Sequence, residues 1–148
     1  MMRIFCTAML LIATSAAAKP VTHFPAAGAP FAEASTPPPF SAAVQAGDTL
    51  YVAGTTDADA AGKLAPDAAT AAHRVLDKIK ATVERAGLTM NDLVWVQVFA
   101  TNLADYNAFN AVYRSYFTGP MPARAFIGAG SLLGGAHFEV MGIAVKAK

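Results

Sequence analysis

The sequence predicts an α+β domain, and three observations carry that expectation. Two long segments repeat apolar residues at helical spacing. Five short segments are β-branched or alternate in polarity. Glycine, proline and Asp-containing turns punctuate the boundaries between them. At 148 residues the chain has the length of one domain with a core of its own.

The N-terminus reads separately from that domain. Met1-Met2-Arg3 opens on a positive charge, Ile4 to Thr14 is an apolar run, and Ser15-Ala16-Ala17-Ala18 supplies small residues before Lys19-Pro20. This order describes a cleavable secretory signal over residues 1–18, cut after Ala18, with a run too short to span a bilayer. The protein is therefore expected to be secreted or periplasmic, with no stable membrane association after cleavage. Cleavage removes Cys6, the only cysteine, and with it any disulfide or thiolate metal site. It also removes Arg3 from eleven basic residues, leaving ten against ten acidic ones. A formally neutral chain without a basic run has no electrostatic footprint for a phosphate backbone, so nucleic acid is not expected as a partner.

Residues 19–38 are rich in Pro, Ala, Gly, Ser and Thr and read as an extended arm, polyproline-like where Pro37-Pro38-Pro39 leads into a domain over 39–148. Ser41 to Gln45 and Leu50 to Ala53 flank the turn Ala46-Gly47-Asp48-Thr49 as a hairpin. Asp57 to Pro66 is a loop. Asp67 then offers an N-cap to a helix whose buried stripe is Ala72, Val75, Leu76, Ile79 and Val83, ended by Gly87. Val94 to Ala100 reads as a strand. A second helix starts near Asp105, with Tyr106, Phe109, Tyr113, Tyr116 and Phe117 as an aromatic stripe assigned to core packing. Ala123 to Ala129 and Phe138 to Lys146 are the last strands, joined by the glycine-rich loop Gly130–Gly135. The final strand is apolar on both faces, so both should be covered. Two helices can cover one; a second copy of the chain is expected on the other.

Two charges stand out in these apolar strands. Arg124 alternates with Phe126 and Gly128, and Glu139 alternates with Met141 and Ile143. Charge in such surroundings must be paired or hydrogen-bonded. An arginine fork can hold a carboxylate or phosphate, but on the bare pattern a structural ion pair is the favoured reading of Arg124. Glu139 can act as a general acid or base, or pair with an arginine, or remain in water at a strand end. His23, His73 and His137 lack metal-ligand spacing, and no metal site is expected. The chain has no phosphate loop, no dinucleotide glycine pattern and no Ser-His-Asp order.

Pro122-Ala123-Arg124 with its apolar strand, followed by Phe138-Glu139-Val140 and Gly142-Ile143-Ala144-Val145, resembles the RidA (YjgF) family of reactive-intermediate deaminases. Pro39-Phe40-Ser41, Leu50-Tyr51-Val52-Ala53-Gly54, Ala86-Gly87-Leu88 and Asn110-Ala111-Val112-Tyr113 fall in the family's order, so the resemblance runs from about Pro38 to Lys146. It implies a chorismate-mutase-like α+β fold, a mixed sheet of about six strands packed on two helices, assembled as a homotrimer with pockets between subunits. It also implies cofactor-free hydrolysis of small 2-imino or 2-enamino acids to 2-oxo acids and ammonia. Arg124 would then bind the substrate carboxylate and Glu139 would position water and carry protons, with Phe40, Gly54, Asn110 and Phe126 lining the pocket. The chain departs from the family at Phe40, usually tyrosine; at Ala53, usually serine; at Thr55, usually glutamine; and at Phe126, usually a small residue. A non-catalytic carboxylate-binding or protein-stabilising role is the alternative.

Overall fold

In the computed structural model, which describes residues 19–26 and 38–146, six strands and two α-helices follow one another along the chain. They are β1 (Val21–Pro25), β2 (Ser41–Ala46), β3 (Thr49–Thr56), α1 (Ala68–Arg85), β4 (Leu93–Ala100), α2 (Tyr106–Arg114), β5 (Ala123–Gly128) and β6 (Phe138–Val145). The leader expected over 1–18 and most of the Pro-rich arm lie outside the described residues. The part of the arm that is described is extended, as its composition implies. It also does something composition does not reveal: β1 pairs antiparallel with β2 and forms one edge of the sheet.

The strand order is β1-β2-β3-β6-β4-β5, mixed because β4 and β5 run parallel while every other pair is antiparallel. The β2–β3 hairpin turns at Gly47, whose φ of 62° suits a residue without a Cβ. Both helices lie on one face. Asp67 caps α1 by accepting the Thr70 N–H at 2.8 Å, and Ala72, Val75, Leu76, Ile79 and Val83 are buried against the sheet as their spacing requires. Phe138, Val140 and Ala144 of β6 are fully buried beneath the helices. Alternation sends Glu139, Met141 and Ile143 to the other face, where no helix lies. The register places Tyr51, Ile143 and Trp95 in one apolar row across β3, β6 and β4 on that open face. Tyr51 is 51% exposed there.

One polar cluster ties the centre of the sheet to the loop before α1. Asp57 is fully buried. Its Oδ1 accepts the N–H groups of His137 and Phe138 at 2.7 and 3.2 Å, and its Oδ2 accepts the Ala65 N–H at 3.4 Å and lies 3.2 Å from His137 Nδ1. His137 is therefore held by a carboxylate rather than left as a solvated turn residue. Beside it Lys78 Nζ donates to the Thr56 carbonyl at 2.9 Å and to the Ala58 carbonyl. Burial pushes the Lys78 ammonium below the usual lysine range, against the attraction of Asp57 and Asp59.

Burial pushes the Asp57 carboxyl upward, but the donors from Phe138, the His137 side chain, the His137 N–H and Ala65 together outweigh it and hold the group below 3.8. A carboxyl depressed in the folded state stabilises fully above its unfolded value, and that contribution fades as pH falls through the folded value. Asp57→Ala leaves those donors buried without an acceptor, so it should lower the unfolding free energy by about 3 kcal/mol at neutral pH. Urea titrations from pH 7 down to pH 3 should show the gap between wild type and variant closing only in the acid range. A constant gap would show that the carboxylate's charge is not what stabilises the fold.

Candidate functional site

Arg124 and Glu139 occupy opposite faces of the same sheet. Arg124 shares a row with Val96 and Gly142, both packed beneath the helices, whereas Glu139 shares a row with Phe99 and Thr56. β4 stands between the two strands that carry them. The residues expected at the site accordingly fall into two groups.

The first group surrounds Arg124 where β5 forms the sheet edge. Its Nη2 donates to Asn110 Oδ1 at 2.7 Å. Its guanidinium carbon lies 4.6 Å from the Tyr113 ring centre, 5.7 Å from those of Tyr106 and Phe126, and 5.9 Å from that of Phe109. The aromatic stripe of α2 explains this cage. Phe109 is fully buried and Tyr113 nearly so, but Tyr106 is 45% exposed at the rim. The stripe is thus core at one end and binding wall at the other. Phe126 packs edge-on to both Tyr106 and Phe109, so it fills space inside the cage rather than closing its mouth.

No carboxylate among the described residues pairs with Arg124. Within the described residues the arginine is satisfied by an amide and by π faces and not by an ion pair. Arg124, Asn110, Tyr106, Tyr113, Arg114, Met121 and Pro122 line a recess of about 170 Å³, a volume suited to a small organic acid. Asn110 and then Arg124 hold the Tyr106 phenol below the usual tyrosine range. Burial pushes the Tyr113 phenol up to about 12, and its hydroxyl finds no hydrogen-bond partner among the described residues.

The second group lies on the open face. Gly54 sits beside Glu139, and a Cβ built on it would overlap Glu139 Oε1 and stand 3.1 Å from Cδ. Glycine is thus required here by the close approach of a carboxylate to backbone. The β3–β6 register is irregular between Val52 and Thr55, which carries Gly54 past its regular place. Phe40, 52% exposed, precedes β2 at the end of the hairpin that carries Gly54. Among the described residues no three His, Cys, Asp or Glu side chains gather as metal ligands, and no helix is long and apolar enough to cross a membrane.

The family model described as Endoribonuclease L-PSP matches residues 31–146, and the chain belongs to this family, also called YjgF/RidA. A 2-iminobutanoate/2-iminopropanoate deaminase of Dermatophagoides farinae is 34% identical over 113 residues, covering 72% of this chain and 85% of the relative. YjgF of E. coli superposes with a TM-score of 0.71 at 32% identity, over 74% of this chain and 90% of that one. E. coli TdcF with bound serine gives a TM-score of 0.75 at 26% identity, over 85% and 100%. The six-stranded mixed sheet with two helices is therefore the chorismate-mutase-like fold of these proteins.

Gly54→Ala places a methyl group against the Glu139 carboxylate, and such overpacking should cost about 1–3 kcal/mol in thermal or urea unfolding. Tyr113→Phe removes a buried hydroxyl without a partner, so unfolding should be unchanged or shifted upward by up to about 1 kcal/mol. A destabilisation larger than that would reveal a hydrogen bond for Tyr113.

Proposed function

We infer that the protein is a cofactor-free hydrolase that deaminates small 2-imino acids, or their enamine tautomers, to 2-oxo acids and ammonia. The uncompensated guanidinium of Arg124 carries this reading. A positive group held at the end of a small recess, with no carboxylate of its own, is an anchor for a substrate carboxylate. The kinship with an imine deaminase at 34% identity supports the same chemistry. The endoribonuclease description attached to the family finds no support in the charge of the chain, which offers no basic tract for RNA.

The opposite placement of Arg124 and Glu139 supports a site built between copies of the chain. Neighbouring strands lie about 4.8 Å apart, so β5 and β6 are separated by about 10 Å with their side chains pointing apart. One protomer cannot bring both groups to one small molecule. Arg124 sits at the sheet edge and Glu139 on a face no helix covers, so the pocket forms between copies. We assign this to a homotrimer, in keeping with the family.

In that pocket Arg124 of one copy fixes the carboxylate, which makes attack by a bound water effectively intramolecular. Glu139 of the other copy takes a proton as the water oxygen bonds to C2 of the imine and returns it to the imine nitrogen, giving the carbinolamine. Glu139 then relays the proton of the C2 hydroxyl to that nitrogen as the C2–N bond breaks, so ammonia leaves and the 2-oxo acid remains. The residues of each copy needed for this are Arg124 with Asn110, Tyr106 and Phe126 on one side, and Glu139 with Gly54 and Phe40 on the other. The leader over 1–18 would deliver the protein outside the cytoplasm. Retention of a carboxylate recess without turnover is the alternative, a small-acid binder.

The test generates 2-iminobutanoate or 2-iminopropanoate with an amino-acid oxidase and follows imine loss. Wild type should accelerate it. Arg124→Ala should lower kcat/KM about a hundredfold or more through loss of a charge-assisted anchor, and Glu139→Gln should lower kcat by about 10²–10⁴. Mixed oligomers co-expressed from the two inactive variants should regain activity, because some pockets then combine an intact Arg124 with an intact Glu139. No acceleration by wild type across a panel of imino acids would leave only the binding role.

A further inference from the structure

We propose that the Tyr106 hydroxyl is a second ligand-contacting group in the Arg124 recess, donating its hydrogen bond to the heteroatom on C2 of the bound acid and so selecting 2-oxo and 2-imino acids over plain carboxylates. The inference rests on Arg124 as the carboxylate anchor and adds the specificity that the anchor alone lacks.

The geometry of α2 supplies the argument. Tyr106 and Asn110 are one helical turn apart and therefore neighbours on the same face. Asn110 Oδ1 is occupied by Arg124 Nη2, so the amide's NH₂ is the end left for another partner. Tyr106 lines the recess beside Asn110 and Arg124, its ring centre is 5.7 Å from the Arg124 guanidinium carbon, and it is 45% exposed. Its hydroxyl carries one proton to donate. Among the described residues no hydrogen bond from the Tyr106 hydroxyl to a carbonyl or carboxylate is formed. The ring is held by edge-on contact with Phe126 at 5.1 Å between centres, so the hydroxyl is positioned rather than free to swing.

Ligand chemistry then follows from distance. A carboxylate on the guanidinium fork places its C2 substituent one bond further out in a recess that Tyr106 shares with Asn110 and Arg114, and Tyr106 is the group there that brings a hydroxyl at the exposed rim. A carbonyl oxygen or imine nitrogen at C2 accepts a hydrogen bond from a phenol; a methylene at the same place cannot. Simple carboxylates would occupy the anchor and leave the Tyr106 proton to water. The Tyr113 hydroxyl does not compete for this role, because it is enclosed at the floor of the recess beneath the guanidinium.

The test compares binding of 2-oxobutanoate and butyrate to the full-length chain by titration calorimetry, with Tyr106→Phe, Arg124→Ala and wild type in parallel. Wild type should prefer 2-oxobutanoate by about tenfold, the worth of one hydrogen bond of about 1.4 kcal/mol. Tyr106→Phe should erase that preference while binding butyrate as wild type does, and Arg124→Ala should lose both ligands. Saturation with 2-oxobutanoate should also move one tyrosine ¹³Cζ resonance, the one absent from Tyr106→Phe. Equal affinity for both acids in wild type, unchanged in Tyr106→Phe, overturns the role of Tyr106 and leaves the anchor standing. Failure of wild type to bind either acid overturns the anchor and this inference with it. Loss of butyrate binding in Tyr106→Phe would mark Tyr106 as a support for Arg124 rather than a reader of C2, and would likewise overturn the proposal.

Discussion

Every functional relation in the molecule depends on the strict alternation of β6. This strand lies inside the sheet, hydrogen-bonded to β3 on one side and β4 on the other, so it can neither slip in register nor rotate. Phe138, Val140 and Ala144 must then lie under the helices, and Glu139, Met141 and Ile143 must lie on the open face. The Asp57 cluster fixes the start of the strand by binding the backbone N–H groups of His137 and Phe138, immediately before Glu139. A buried carboxylate is costly in itself, but several donors converge on this one and it holds the start of β6 in place. The position of Glu139 is set by the core.

The setting of Arg124 shows a different balance. An arginine enclosed in an apolar wall is usually neutralised by a carboxylate, because the charge is otherwise unfavourable there. Here four aromatic faces and one amide oxygen supply what a carboxylate would. Cation–π contacts at this range contribute about 0.5–2 kcal/mol each depending on exposure, enough to hold the side chain without cancelling its charge. The aromatic cage fixes the fork and leaves its charge without a carboxylate partner among the described residues.

Much of this was legible from sequence, and the exceptions have physical causes. The two helices, the β2–β3 hairpin and the last three strands follow from periodicity and turn residues acting over a few neighbours. β1 was not, because Val21–Pro25 is short, exposed and set in Pro-rich sequence, and only its pairing with β2 makes it a strand. β3 runs on through Gly54 to Thr56, because the pairing with β6 continues past an irregularity that a local pattern reads as an end. The burial of Asp57 could not be inferred, since its partners His137 and Phe138 lie some eighty residues away. Arg124 and Glu139 stood out as charges among apolar residues, but their separation onto opposite faces required the strand order. The binding half of the α2 stripe was hidden for a similar reason: Tyr106 looks like core until the sheet edge is seen to end beside it.

The division of the site between two faces also explains why its polar groups are distributed as they are. Phe40 brings no hydroxyl to the Glu139 side, and Ala53 brings none beside Gly54. Polar side chains are gathered instead on the Arg124 side, where Asn110 accepts from the guanidinium and lines the recess together with Tyr106. Arg124 and Glu139 thus occupy different surfaces of the same chain. The Arg124 cage is held by aromatic packing that continues from Tyr106 and Phe126 through Phe109 to Phe138. Glu139 is held because it follows Phe138 in β6. One buried aromatic therefore couples the two faces: Phe138 sets the depth of the cage and, one residue later, the direction of Glu139.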